Sequence, residues 1–295
     1  MIPALISRSA PSRTASFGVR LVAALALMLP VAGCSTLESF SLFGGEKYET
    51  KILPDIPADD IYNQGLARLE KKDYEGAAKK FAEMEKQHPY SQWSKKALIM
   101  TAFAHYQARS YTEAISAANR YASLYSNTPD TAYAYYLGAM SYYNQIPDIS
   151  RDQDNADRAL NLFNQIITKF PKSEYAEDAK YKVQVTKDQL AGKEMSVGRF
   201  YLTRRQYTAA INRFRDVLGK YQTTRHSEEA LMRLTEAYLG LGIVHEAQTA
   251  AAVLGHNYPD SPWYKDAFER LKGSGLAPHE SEGSWISKAF RKVTG

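Results

Sequence analysis

One residue in the 295-residue chain combines reactivity with a telling context: Cys34, the sole cysteine, closing the run Val31-Ala32-Gly33-Cys34. A thiol among small residues is a nucleophile that can be acylated, and with no second cysteine it has no disulfide partner. The other role open to it is that of a small buried core residue. Elsewhere the chain proposes little chemistry. Its six histidines are scattered, and it holds no HExxH, phosphate-binding glycine loop, GxSxG elbow or paired-cysteine metal pattern. His226 with Glu228 and Glu229 comes nearest to a ligand set, but at a repeat boundary it reads as a solvated capping sequence. The expectation is a non-enzymatic protein with no catalytic residues, metal or cofactor.

The residues before Cys34 must present its thiol. Arg8, Arg13 and Arg20 come without any acid, Leu21 to Leu29 form an apolar stretch, and small residues follow, which are the three parts of a secretory signal. The apolar stretch is too short to span a bilayer as a helix. Together with the cysteine, the pattern resembles the bacterial lipoprotein signal, in which the thiol is diacylated, the peptide is cut before it and the new amino terminus is acylated. That resemblance implies a signal peptide over 1–33 and a membrane anchor through lipid on Cys34. Ser35, where inner-membrane lipoproteins tend to carry aspartate, implies the periplasmic face of the outer membrane. Several acyl chains at about 0.8 kcal/mol per buried methylene would make the anchor effectively permanent. Residues 34–57 then read as the lipidated cysteine and a flexible tether, with Gly44-Gly45, Pro54 and Pro57. Such a coil has a typical end separation of roughly 26 Å.

Removing residues 1–33 takes away three arginines and no acid, so the formal charge falls from +5 to +2. Nucleic acid thereby loses its main argument as a partner, because no strong basic excess remains to neutralise phosphates.

What the tether would hold is a repeat. Five times, an anchor residue is followed by Ala at +3 and commonly by small or apolar residues at +4 and +7. The anchors are Tyr74, Tyr111, Ala156, Tyr207 and Val244. Steps of three, four and seven place these side chains on one helical face. Pro89, Pro171 and Pro259 stand fifteen residues past three anchors, each followed two residues later by Ser91, Ser173 or Ser261, candidate N-caps for the next helix. Gly65, Ala102 and Gly198 stand nine residues before three anchors, where a small residue lets antiparallel helices approach closely.

This pattern resembles the tetratricopeptide repeat, with Leu231, Leu234 and Tyr238 adding to its first-helix pattern. Anchor intervals of 37, 45, 51 and 37 exceed the nominal period of about 34, so extra residues lie mid-array. One insertion is the polar stretch Asn144 to Asp154, broken by Pro147; the other is a helical stretch, Tyr175 to Leu190, read as part of one long connecting helix. The expected fold is all-α: a solenoid of five helix pairs, with front units 1–3 over 58–174, then the connecting helix and units 4–5 over 175–272. Residues 273–295 are expected to be a mostly disordered tail, ending in the amphipathic run Trp285 to Val293.

In such a solenoid the first helix of each pair lines the concave face. Counting from the aligned small residues, that face receives Tyr62 from the first unit, Phe103 and Tyr106 from the second, and Tyr135, Tyr136, Tyr142 and Tyr143 from the third. Two readings of these rings stand side by side: packing against neighbouring helices, and a groove for an extended peptide with aromatic side chains.

An envelope lipoprotein with this array, the run Ser150-Arg151-Asp152-Gln153 in its third unit, and the segments Tyr121-Ala122-Ser123-Leu124-Tyr125 and Lys193-Glu194-Met195-Ser196-Val197 resembles the BamD (ComL) family. The resemblance spans essentially the whole array. It implies a lipid-anchored scaffold in the β-barrel assembly (BAM) machinery, whose front repeats bind carboxy-terminal signals of unfolded outer-membrane proteins. The back repeats would dock on a POTRA domain of a BamA-like barrel protein, with other Bam lipoproteins as further partners. Asn212-Arg213-Phe214 is similar to the family's partner-binding segment, which makes Arg213 the candidate contact. Its alternative is a solvated arginine on an outer helix. Another reading of the array is an adaptor that recruits cell-wall hydrolases or coordinates envelope division.

Overall fold

The computed structural model describes residues 56–294; Cys34, the signal and most of the tether lie outside the described residues. Twelve α-helices and no strand occur among the described residues. They are α1 Ala58–Glu70, α2 Tyr74–Gln87, α3 Gln92–Gln107, α4 Tyr111–Leu124, α5 Thr131–Tyr143 and α6 Asp154–Lys169. Then follow α7 Tyr175–Thr203, α8 Tyr207–Lys220, α9 His226–Leu241, α10 Val244–Asn257, α11 Pro262–Gly273 and α12 Trp285–Thr294. None of them is long and apolar enough to cross a membrane. The connecting helix is real: α7 runs unbroken for 29 residues.

Four anchors open an even-numbered helix and the other, Ala156, is the third residue of α6; the residues counted from each form the core. The alanines at +3, namely Ala77, Ala114, Ala159, Ala210 and Ala247, are all completely buried. At +7, Phe81, Phe163 and Phe214 are equally buried, with Ala118 and Ala251 in the same place elsewhere. The large ring fits because the facing helix offers no side chain: a methyl group added at Gly65 or Gly198 would collide with the ring of Phe81 or Phe214. Full burial of each phenylalanine contributes about 1.5–3 kcal/mol. Consecutive helices pack on one another from α1 to α10, and the odd-numbered helices α1, α3, α5, α7, α9 and α11 each also touch the next odd-numbered one. The even-numbered helices α2 to α10 do not approach one another to that extent. The odd-numbered helices therefore form the inner face of a tetratricopeptide-type solenoid.

Helix boundaries follow local chemistry. Ser91 and Ser261 cap α3 and α11, each accepting from the N–H two residues on, of Trp93 at 3.1 Å and Trp263 at 3.2 Å. Ser173 does not act this way: α7 starts after Glu174, without a side-chain cap, and the Ser173 hydroxyl is buried without a partner.

The tail departs from the expected disorder. Gln248 donates to the Ala277 carbonyl at 2.7 Å, His279 N–H to the Gln248 carbonyl at 3.3 Å, and Ser284 to Glu246 at 2.7 Å. α12 then buries Ile286 and Phe290, packs on α10, and sets the Trp285 indole N–H 3.0 Å from the Tyr238 hydroxyl. Within the amphipathic run, Ile286 and Phe290 are covered by the chain's own last repeat.

Candidate functional site

The inner face of α3, α5 and the first half of α7 carries the candidate groove. Along α5, residues Tyr133, Tyr136, Met140 and Tyr143 fall at helical spacing on one side. Tyr133 stacks on Tyr175 of α7 with centroids 5.3 Å apart, and Tyr136 lies 4.9 Å from the same ring. The Tyr136 hydroxyl donates to Asp178 at 2.7 Å. Phe103 and Tyr106 of α3 pack in the cluster that includes Tyr133, and Tyr106 accepts from Asn144 Nδ2 at 3.0 Å. Tyr143 packs edge-on to Phe163 and lies under the Lys182 ammonium, 5.0 Å from its centroid.

Burial and nearby carboxylates keep the α5 and α7 hydroxyls of this wall protonated. Burial, then the Asp178 carboxylate, pushes the Tyr136 phenol above its ordinary value. Burial does the same to Tyr133 and Tyr143, and Tyr175 is pushed up to about 12, with Glu174 adding to burial. A protonated phenol both donates and accepts, and its ring remains an apolar surface. The array thus offers stacking faces with hydrogen-bonding rims.

Three of the expected groove rings, Tyr135, Tyr142 and Tyr62, lie off this wall. Tyr135 packs on Phe170 at 5.7 Å and accepts from Lys169 Nζ at 3.1 Å. Tyr142 lies beneath Arg158 at 5.8 Å and borders a cavity with Asn119, Asp157 and Leu162. Both therefore face α6, since one residue along a helix turns a side chain by about 100°. Tyr62 is half-buried between α2 and α3, 5.4 Å from Phe81 and 5.0 Å from Trp93. Tyr133 and Tyr175 complete the wall and were not among the expected residues; the three-four-three spacing of Tyr133, Tyr136, Met140 and Tyr143 was the available signal.

In the back half, Arg213 on α8 donates through Nη1 to Glu194 on α7 at 3.1 Å, with 42% of its side chain exposed. It joins the fourth-unit segment to the Lys193–Val197 motif. His226 packs beside Gly192, and Glu229 accepts from Arg199 at 2.9 Å and Arg233 at 3.2 Å, so that cluster is spent on helix packing and ion pairs.

Fold and site define a helical-repeat scaffold with an aromatic inner face. Residues 54–254 match the YfiO family, described as an outer membrane lipoprotein, and the chain belongs to that family. Outer membrane protein assembly factor BamD of Caulobacter vibrioides is 43% identical over 257 residues, covering 87% of this chain and 82% of that protein. BamD of Rickettsia prowazekii is 44% identical over 216 residues, 73% of this chain and 86% of its own length. BamD of Neisseria meningitidis serogroup A is 30% identical, with 85% and 95% covered.

Proposed function

We propose that this protein is an outer-membrane protein assembly factor that works as a non-catalytic scaffold. It is tethered by lipid on Cys34 to the periplasmic face of the outer membrane. The names of its relatives and the lipoprotein description of its family support the role and address; the Val31–Cys34 motif supports the anchor. The observation that carries the binding role is the ring wall of α3, α5 and α7, whose faces stack and whose α5 and α7 hydroxyls stay protonated.

On this reading the wall takes the aromatic-ended carboxy-terminal segment of an unfolded outer-membrane protein: rings stack, and phenols satisfy the extended backbone. Arg213, half-exposed and tied to the chain by one hydrogen bond, offers its remaining guanidinium donors to a carboxylate on the POTRA domain of a BamA-like barrel protein. Other Bam lipoproteins complete the assembly.

Purification of the tagged protein from membranes tests the role, with a BamA-like barrel protein expected among its partners. Recovery of cell-wall hydrolases without that barrel would replace the proposal with an adaptor function. The groove is tested by the double variant Phe103→Ala, Tyr136→Ala, which is expected to weaken binding of a barrel carboxy-terminal peptide at unchanged helicity. Equal affinity would remove the groove from the proposal.

A further inference from the structure

At the ring wall one ammonium, that of Lys182, stands over aromatic faces without an ion-pair partner among the described residues. Lys182 on α7 places its ammonium 5.0 Å from the centre of the Tyr143 ring and 5.6 Å from that of Tyr181. No carboxylate among the described residues pairs with it. Asp178, one turn earlier, is occupied by the Tyr136 hydroxyl.

Beside Tyr143 a cleft of about 430 Å³ opens between α7 and the loop leading into α6. Its polar lining is already committed. Asp148 accepts the Ser150 N–H at 2.9 Å, the Thr186 hydroxyl donates to the Lys182 carbonyl at 2.7 Å, and Gln189 donates to the Pro147 carbonyl at 3.2 Å. What remains for a ligand is the Tyr143 ring with Ile146, Pro147 and Val185, and the Lys182 ammonium over that same ring.

The geometry points to a subsite for the end of a chain: the aromatic side chain of a carboxy-terminal residue enters the cleft while its terminal carboxylate pairs with Lys182. This rests on the peptide-groove reading and deepens it by fixing which part of the peptide is held and by what. An α-carboxylate exists only at a chain end, so a cation beside an apolar cleft separates ends from internal aromatic segments that the ring wall alone would accept equally. The pairing is favoured because the ammonium sits over ring faces, which attract a cation without neutralising it, and a charge-assisted hydrogen bond is stronger than a neutral one.

The test uses two synthetic ten-residue peptides of alternating aromatic and polar residues ending in phenylalanine, one a free acid and the other a carboxamide. Each is titrated into the full chain in detergent at low salt and followed by fluorescence anisotropy. The unaltered protein is expected to prefer the acid about tenfold, the range of a hydrogen bond to a charged group. Lys182→Gln, with helicity checked by circular dichroism, is expected to bind both at the level of the carboxamide. Equal affinity of acid and amide for the unaltered protein would overturn the subsite and leave the groove standing, as would an undiminished acid preference in Lys182→Gln. Binding of neither peptide would overturn the groove and the subsite together.

Discussion

The inner face changes character halfway along the array. On α3, α5 and the first half of α7 it is a wall of rings, with Tyr133, Tyr136 and Tyr175 within 4.9–5.3 Å of their stacking partners. On the second half of α7, α9 and α11 it is a ladder of charge. Arg199 pairs with Glu229, Glu229 with Arg233, Arg233 with Glu236 and Glu236 with Arg270, at 2.9 to 3.2 Å. Beneath both lies the same skeleton, a glycine opposite a phenylalanine: Gly65 with Phe81 in front and Gly198 with Phe214 behind. Positions between the helices of a pair are thus fixed by packing, while inner-face positions are open to specialisation. In the back they are spent on one another; in front, ring faces and the Lys182 ammonium over them are left without a charged partner among the described residues.

The strongest way to break this comparison is to attack the shared skeleton. Phe214→Ala leaves a cavity against Gly198 and is expected to cost about 3–5 kcal/mol. Phe81→Ala makes the same cavity, but at the end of a quasi-one-dimensional array, where loss of one unit need not propagate. Urea denaturation should show a single weakened transition for Phe214→Ala and an early partial loss of helicity, followed by a near-normal main transition, for Phe81→Ala. Identical curves would mean that the two halves form one cooperative block.

A smaller effect should separate the two inner faces. Glu229 is 13% exposed and serves two guanidinium groups, so Glu229→Gln is expected to cost about 1–2 kcal/mol, with partial exposure of Arg199 holding the figure down. The loss should shrink in high salt, because screening already weakens the ladder. Tyr136→Phe removes one hydrogen bond to Asp178, costs about 0.5–1.5 kcal/mol and should respond far less to salt. Peptide affinity is expected to fall only for the tyrosine variant. A fall of the same size in Glu229→Gln would extend the binding face into the back half.

The skeleton was legible in the sequence because it depends on spacing: Ala at +3 and the glycine nine residues before an anchor are short-range constraints that recur. The ring wall was legible only as a set of tyrosines. Its phase was not, since Tyr135 and Tyr142 differ from Tyr136 and Tyr143 by one step of the helix, and that step decides whether a ring that meets α6 also reaches α7. The tail was illegible for another reason. Its Gly, Ser, Pro and Glu composition reads as disorder, yet Gln248, Thr249 and Glu246 bind its backbone and Ser284. Those partners are some 30 residues away in sequence, so local composition carries no trace of them.

The smallest predicted effect concerns the turns, and its sign is reversed. Two residues before four of the anchors the chain is left-handed, at Lys72, Arg109, Arg205 and Gly242, with φ of 58° to 72°. Each turn closes its helix with the same pair of backbone bonds: in the first, Lys72 N–H to the Leu69 carbonyl and Asp73 N–H to the Arg68 carbonyl, both at 2.9 Å. Only the last turn uses glycine, which reaches this region without strain, whereas a side chain there costs about 1 kcal/mol or more. The third unit escapes the constraint because a longer loop replaces its turn. Arg109→Gly in front and Arg205→Gly behind are therefore each expected to stabilise the array by up to about 1 kcal/mol, less the extra entropy glycine gives the unfolded chain. Gly242→Ala should lose a similar amount. Midpoints of urea unfolding decide it, and a loss of stability in both arginine variants would mean that these side chains contribute more at the turn than their backbone strain costs.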